Sequence, residues 1–425
     1  MAHHTVKQGY LDLVDRLNRS PQGAPASELL FRILEMLFSE REAALVAELP
    51  IRPFTAESAS AAWKMPLVEA VKVLDELTSR AILVDIVDGG ETTYCLPPPM
   101  AGFFEFSMMR VRADIDQRLL AELFYEYLNV EEDFIKTLFT EGNTQLGRTF
   151  VSESSLPSDG TLHVLDFERA SHIVESASAI GVGLCYCRHK MDHLGRACDA
   201  PRDICMTFNT TAASLTRHGH ARAVDSVECL DLLQRAREEG LVQFGENVRQ
   251  RVNFICNCCG CCCEAMIAAR RFGHLNPVHT TNFLPETTVA SCTGCGKCVA
   301  ACPVEAMTLV SANHPDRPKA KVAKLDSQIC LGCGVCVPVC PEDNIRLVDR
   351  PERVITPVDS VHRVVAMAVE RGTLQHLVFD DRTLTSHRAL AAVLGAILDL
   401  PPVKQSVARS VLNSRYLEAL IERQA

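Results

Sequence analysis

The run CTGCGKCVAACP at residues 292–303 returns as CLGCGVCVPVCP at residues 330–341. The likeness extends outward to VASCTGCGKCVAACPVEAMTLV (289–310) and SQICLGCGVCVPVCPEDNIRLV (327–348), at a constant offset of 38 residues. Each copy spaces three cysteines at two-residue intervals, adds a fourth after three more residues, and follows it with proline. Three thiolates on so tight a loop must converge on one polynuclear metal group. Small residues keep the backbone close to such a group, and Gly294, Gly296, Gly332 and Gly334 meet that need. A zinc ion instead favours two separated C-x2-C pairs. The repeat therefore reads as a pair of metal-cluster loops folded against each other.

The spacing resembles that of bacterial two-cluster ferredoxins over about 60 of the 425 residues, with every motif position filled. In that family the cysteine before proline ligates the other cluster. The resemblance thus implies one [4Fe–4S] cluster on Cys292, Cys295, Cys298 and Cys340, and a second on Cys330, Cys333, Cys336 and Cys302. It also implies single-electron transfer. The connection SANHPDRPKAKVAKLD between the copies is longer than in small members of the family and is expected to form a hairpin or loop.

Two further cysteine groups lie upstream. In GVGLCYCRHK…ACDAPRDIC, Cys185, Cys187, Cys198 and Cys205 suffice for a third cluster, with Arg188 and His189 beside it. Positive charge there raises a cluster's reduction potential. This segment resembles a C-x-C-R…C-x2-P…C pattern of ferredoxin-domain proteins from anaerobes. In NFICNCCGCCCEAM, Cys256, Cys258, Cys259, Cys261, Cys262 and Cys263 exceed what one site requires. Adjacent cysteines on a strand or helix point different ways, so either two sites share them, which leaves room for a fourth cluster, or some are redox-active thiols. The triplet Cys258-Cys259-Gly260 resembles the CCG element of heterodisulfide-reductase-type subunits, although that family uses two such elements and this chain has one. Zinc and free structural thiols are the other readings of the first group. The histidines His218, His220, His274 and His279 rank below the cysteines as ligands, the first two reading as a solvated surface.

The remaining sequence bounds the context. At 425 residues, 47% hydrophobic and 23% charged, the chain has the composition of several globular units. Its net charge of −10 argues against general nucleic-acid binding and suits encounters with basic redox partners. The N-terminus lacks a signal-peptide core, and no apolar run is long enough for a membrane span. Twenty cysteines in such a chain are expected to be metal ligands or catalytic groups in a reducing cytoplasm rather than disulfides.

The expected architecture is an α+β multidomain protein. It comprises an N-terminal helix (1–24), a winged-helix-like domain (25–110), a helical connector (111–160), a Cys-rich α+β domain (161–288), the two-cluster ferredoxin domain (289–350) and a helical C-terminal region (351–425). Within 25–97, 6 Lys/Arg face 12 Asp/Glu, which favours docking or scaffolding over DNA binding. No G-x-G-x-x-G after a strand, Walker loop or G-x-S-x-G is present, so nicotinamide and flavin are unsupported. The leading reading is an electron-transfer protein of anaerobic metabolism that serves a partner oxidoreductase or carrier, with a second copy of the chain as a further docking partner. Its rivals are an oxidoreductase acting on a disulfide or small substrate at an upstream cluster, and an iron–sulfur redox sensor acting through the winged helix.

Overall fold

The structure, a computed structural model, describes residues 7–157, 162–314, 317–380 and 385–398. The protein is mixed α/β and divides into two compact units. One comprises Met1–Thr144, Ala213–Ala221 and Asp359–Ala425; the other comprises Gln145–Ala212 and Arg222–Val358.

In the first unit, Ser27 caps the helix Glu28–Leu37 by accepting from the Leu30 amide at 3.1 Å. Leu30, Ile33, Leu34 and Leu37 form its buried stripe. Ser39 and Glu42 close a reciprocal capping box at the start of the helix Glu40–Glu48. The helix Leu67–Ser79 then leads to strands β2 (Val84–Asp88) and β3 (Glu91–Cys95), which turn at Gly89-Gly90. Strand β1 (Phe54–Thr55) completes an antiparallel sheet in the order β1-β3-β2. The helix Ala56–Trp63 lacks an apolar stripe because its buried side is built from Ala59, Ala62 and Trp63, so no large-residue periodicity announces it. Residues 110–150 read as helical throughout, but the helix Gln117–Tyr125 widens at Glu126–Val130, resumes at Asp133–Thr140 and gives way to strand by Gly147. His220, expected on a solvated surface, is buried, with Nε2 3.0 Å from the Ser79 carbonyl. The apolar LVFD stretch, set apart from the C-terminal helices by its composition, is half helical, because Leu374–Val378 includes its first two residues. Part of the expected C-terminal region, 399–425, lies outside the described residues.

The second unit is built on a six-stranded antiparallel sheet. Its strands are β4 (Gly147–Thr149), β5 (Ile180–Leu184), β6 (Asp203–Phe208), β7 (Arg222–Ala223), β8 (Val242–Glu246) and β9 (Phe254–Cys258), in the order β4-β8-β9-β6-β5-β7. Strand alternation gives this sheet two different faces. Ile180, Val182, Ile204, Met206, Phe208 and Ile255 enter one core with Ile173 and Val174 of the helix Ala170–Ser176 and Leu233 of the helix Ser226–Glu238. The alternate positions Cys205, Cys256 and Cys258 therefore fall on the opposite face. The segment LHVLDF, strand-like in composition, forms no strand among its described residues and ends in a short turn at Asp166–Glu168, where Glu168 takes back the Leu165 amide at 2.7 Å. The following helix stops at Ser176, short of Ile180, because the alternating Ile-Gly-Val-Gly-Leu run is extended as β5.

The cysteine repeats supply two further antiparallel pairs. Strand β10 (Phe283–Thr287) pairs with β13 (Ile345–Asp349), and β11 (Met307–Ser311) pairs with β12 (Lys321–Leu325). The long connection between the copies thus runs through a hairpin, registered from Met307↔Leu325 to Ser311↔Lys321.

Candidate iron–sulfur and thiolate centres

The repeats place their cysteines around two separate volumes. Cys292, Cys295, Cys298 and Cys340 line one cavity together with Leu309, Ala323 and Ile345. In the other copy, Cys330, Cys333 and Cys336 share their electrostatic surroundings with Cys302. Each volume therefore gathers three cysteines of one copy and the proline-flanked cysteine of the other. Backbone amides are turned toward the sulfurs: Ala323 donates to Cys292 at 3.4 Å, Ala306 to Cys302 at 3.2 Å and Gly332 to Cys330 at 3.3 Å. Such bonds stabilise thiolate over thiol and help set a cluster's potential.

Two glycines show why the loops tolerate no larger residue. Gly332 has φ +69°, and a Cβ there would lie 2.2 Å from both the Phe283 carbonyl oxygen and Thr281 Oγ1. Gly294, at φ +68°, would meet the Lys321 carbonyl oxygen at 2.3 Å. Both positions demand a left-handed backbone and close approach of another chain segment. The loops are shaped by the backbone around them. Burial pushes the thiols up, Cys330 to about 11 and Cys333 to about 12.

Residues 291–344 match the family model described as a 4Fe-4S dicluster domain. The chain therefore carries a ferredoxin-type iron–sulfur domain within a larger protein. No curated protein and no solved structure matches it.

Upstream, the structure sorts the cysteines by direction rather than by order along the chain. Cys258 and Cys259, adjacent at the end of β9, part company. Cys258 lies 3.1 Å from Cys263, and Cys263 also engages Cys187, which in turn engages Cys185. Cys256 contacts Cys258, and Cys205 lies on the same face of the sheet. Cys259 instead joins Cys198, Cys261 and Cys262. The set Cys185, Cys187, Cys198 and Cys205, contiguous in sequence, is thus divided between two groups.

Local structure explains the chemistry of the inner group. Cys185 is the N-cap of the helix Tyr186–His193, and Cys263 is the N-cap of the helix Glu264–Phe272. Two helix N-termini consequently point their free amides at neighbouring sulfurs, an arrangement that favours thiolate. Cys263 is held well below the ordinary thiol range by its hydrogen bonding with Cys187 and Cys258, assisted by the Met266 and Ala265 amides. Cys185 is lowered chiefly by Cys187, with help from the Arg188 charge and amide. Burial works against the Arg188 charge, but the neighbouring sulfurs of Cys185, Cys259 and Cys258 more than restore it. Its guanidinium is fixed by the carbonyls of Pro201 at 2.8 Å and Asn257 at 2.6 Å.

A feature unmarked in the sequence locks the two helices together. Lys190 and Glu264, essentially without solvent exposure, form an ion pair between them. The only signal was position, since each charge lies within three residues of a cysteine in a helix that is otherwise buried there. Among the histidines, His274 is exposed, and His279, whose backbone bridges to Arg148, is lowered to about 4 by burial and then by the Arg148 charge. His218 faces Asp85 at 3.2 Å. No helix among the described residues is long and apolar enough to cross a membrane.

Proposed function

We propose that this protein relays single electrons between two ferredoxin-type [4Fe–4S] clusters and a third cluster on its inner upstream thiolates, in exchange with a partner oxidoreductase. When bound, such clusters supply reversible one-electron storage. Cys292, Cys295, Cys298 and Cys340 hold one cluster, and Cys330, Cys333, Cys336 and Cys302 hold the other. The third takes its ligands from the inner group Cys185, Cys187, Cys205, Cys256, Cys258 and Cys263, in which Cys258 and Cys263, 3.1 Å apart, do not both cap irons of one cube. Arg188 supplies the fixed positive charge that biases electron flow toward this inner site.

The observation that carries the reading is the join between the two cysteine systems. Gly260, between Cys259 and Cys261, lies so close to Pro303 that an added Cβ would sit 2.6 Å from its carbonyl oxygen. Pro303 adjoins Cys302, so the upstream loop abuts a ligand of a ferredoxin cluster. Arg270 and Glu305 pair across the same junction at 3.5 Å. An electron at either system therefore has a short covalent and packed route to the other.

The N-terminal helices and the β2–β3 hairpin form a winged-helix-like scaffold whose role is partner docking. Twelve carboxylates against six cations leave it poorly suited to phosphate contacts. All twenty cysteines are free of disulfides, which suits a reducing cytoplasm.

The test is iron and acid-labile sulfide analysis with electron paramagnetic resonance on anaerobically prepared full-length protein. Iron and matching sulfide for three clusters are expected. Cys187→Ser should remove one signal and leave the ferredoxin pair. Zinc in place of iron, or absence of sulfide, would overturn the proposal.

A further inference from the structure

The six cysteines of NFICNCCGCCCEAM serve two groups, and the outer group has a geometry of its own. The sulfurs of Cys198, Cys259, Cys261 and Cys262 all lie within 4.8 Å of one another. Three of the separations are 3.6 Å (Cys198–Cys259), 3.7 Å (Cys261–Cys262) and 3.9 Å (Cys198–Cys262). The remaining pairs, Cys259 with Cys261 and Cys262 and Cys198 with Cys261, are also in direct contact. Every edge of the tetrahedron is closed.

These lengths discriminate between kinds of metal centre. A single ion with metal–sulfur bonds of about 2.3 Å in a regular tetrahedron sets its four sulfurs about 3.8 Å apart. In a [4Fe–4S] cube each cysteine sulfur caps a different iron, which spreads the four to roughly 6 Å. The quartet has the first spacing. The ferredoxin cysteines provide an internal comparison, since all eight are described and no three of them approach within 4.8 Å of one another.

We infer that Cys198, Cys259, Cys261 and Cys262 bind one metal ion as a closed tetrahedral tetrathiolate, with no inorganic sulfide. Among the common intracellular divalent ions, zinc binds such a site more tightly than ferrous iron. Four thiolates around a divalent ion carry a net charge of −2, and the buried Arg188, which hydrogen-bonds Cys198 and faces Cys259, offsets part of it. The ion ties the Cys198 loop to the loop after β9, so that Cys258 and Cys263 are turned away from it toward Cys187. It staples the loop that abuts Pro303.

The test is elemental analysis of anaerobically purified full-length protein beside acid-labile sulfide, with X-ray absorption at the metal edge. One zinc per chain with four sulfur neighbours at about 2.3 Å supports the site, as does one iron in excess of sulfide with the same shell. Cys198→Ser and Cys261→Ser, one half-buried and one exposed, should each lose that ion while leaving sulfide content and the ferredoxin signals unchanged. Should either variant prove insoluble, absorption on the unaltered protein decides alone. A loss of several irons together with equal sulfide in these variants, or iron fully matched by sulfide with no zinc in the unaltered protein, would overturn the inference. Failure of the third-cluster proposal would instead appear as missing sulfide in the unaltered protein.

Discussion

Replacing Gly260 by alanine probes the one contact on which the relay depends. Gly260 is outside the left-handed region, so alanine meets no backbone penalty there, and the whole effect falls on its neighbours. The new Cβ would stand 2.6 Å from the Pro303 carbonyl oxygen, 2.9 Å from its Cα and 3.1 Å from its carbonyl carbon, where ordinary contact begins at 3.4 Å. All three are backbone atoms, which cannot rotate aside. The Cys258–Cys263 loop must retreat by about 0.8 Å, an overpacking that costs about 1–3 kcal/mol. For a unit of this size, that corresponds to a fall in melting temperature of about 2–12 °C. Anaerobic melts followed by circular dichroism on samples of equal iron content measure it. Stopped-flow reduction should show the ferredoxin clusters filling at the parent rate and the upstream site filling more slowly. A melting curve and an upstream rate both equal to the parent's would refute the reasoning, because the loop then would not rest on Pro303.

Three other outcomes are expected. Lys190→Met leaves the buried Glu264 without its ammonium and should cost about 3–5 kcal/mol, with much of the loss recovered in the Lys190→Met/Glu264→Leu double variant; denaturant unfolding in a double-mutant cycle measures both. Burial lowers His220 from 6.5 to about 4, so the folded state takes up its proton later than the unfolded chain as pH falls. Its contribution is complete above pH 6.5 and declines as pH drops toward 4, by about 1 kcal/mol between pH 7 and 5.5, and His220→Gln should flatten that slope in unfolding experiments. Cys295→Ser should delete one low-potential paramagnetic signal and spare any signal that depends on Cys185 and Cys187; simultaneous loss of both would show that the two systems do not assemble independently.

The three-cysteine loop of each copy was legible without a structure because its spacing is local, whereas the exchange of Cys302 and Cys340 between the copies followed only from the family resemblance. Three donors and the glycines between them lie in one seven-residue loop, and chain connectivity leaves them little choice but to converge. The same holds for the helix caps at Ser27 and Asp225, where a side chain bonds to an amide three residues on. The upstream cysteines were legible only as metal or redox ligands. Their partition was not, since Cys198 meets Cys259, Cys261 and Cys262 across some sixty residues of intervening chain. That meeting is set by where β9 ends beside β6, and by strand alternation that sends Cys258 to one side and Cys259 to the other. The Lys190–Glu264 pair and the Gly260–Pro303 contact belong to the same category. Local spacing determines which sulfurs share a loop, but sulfurs carried on separate elements share a metal only where sheet register and helix packing bring their donors within bonding reach.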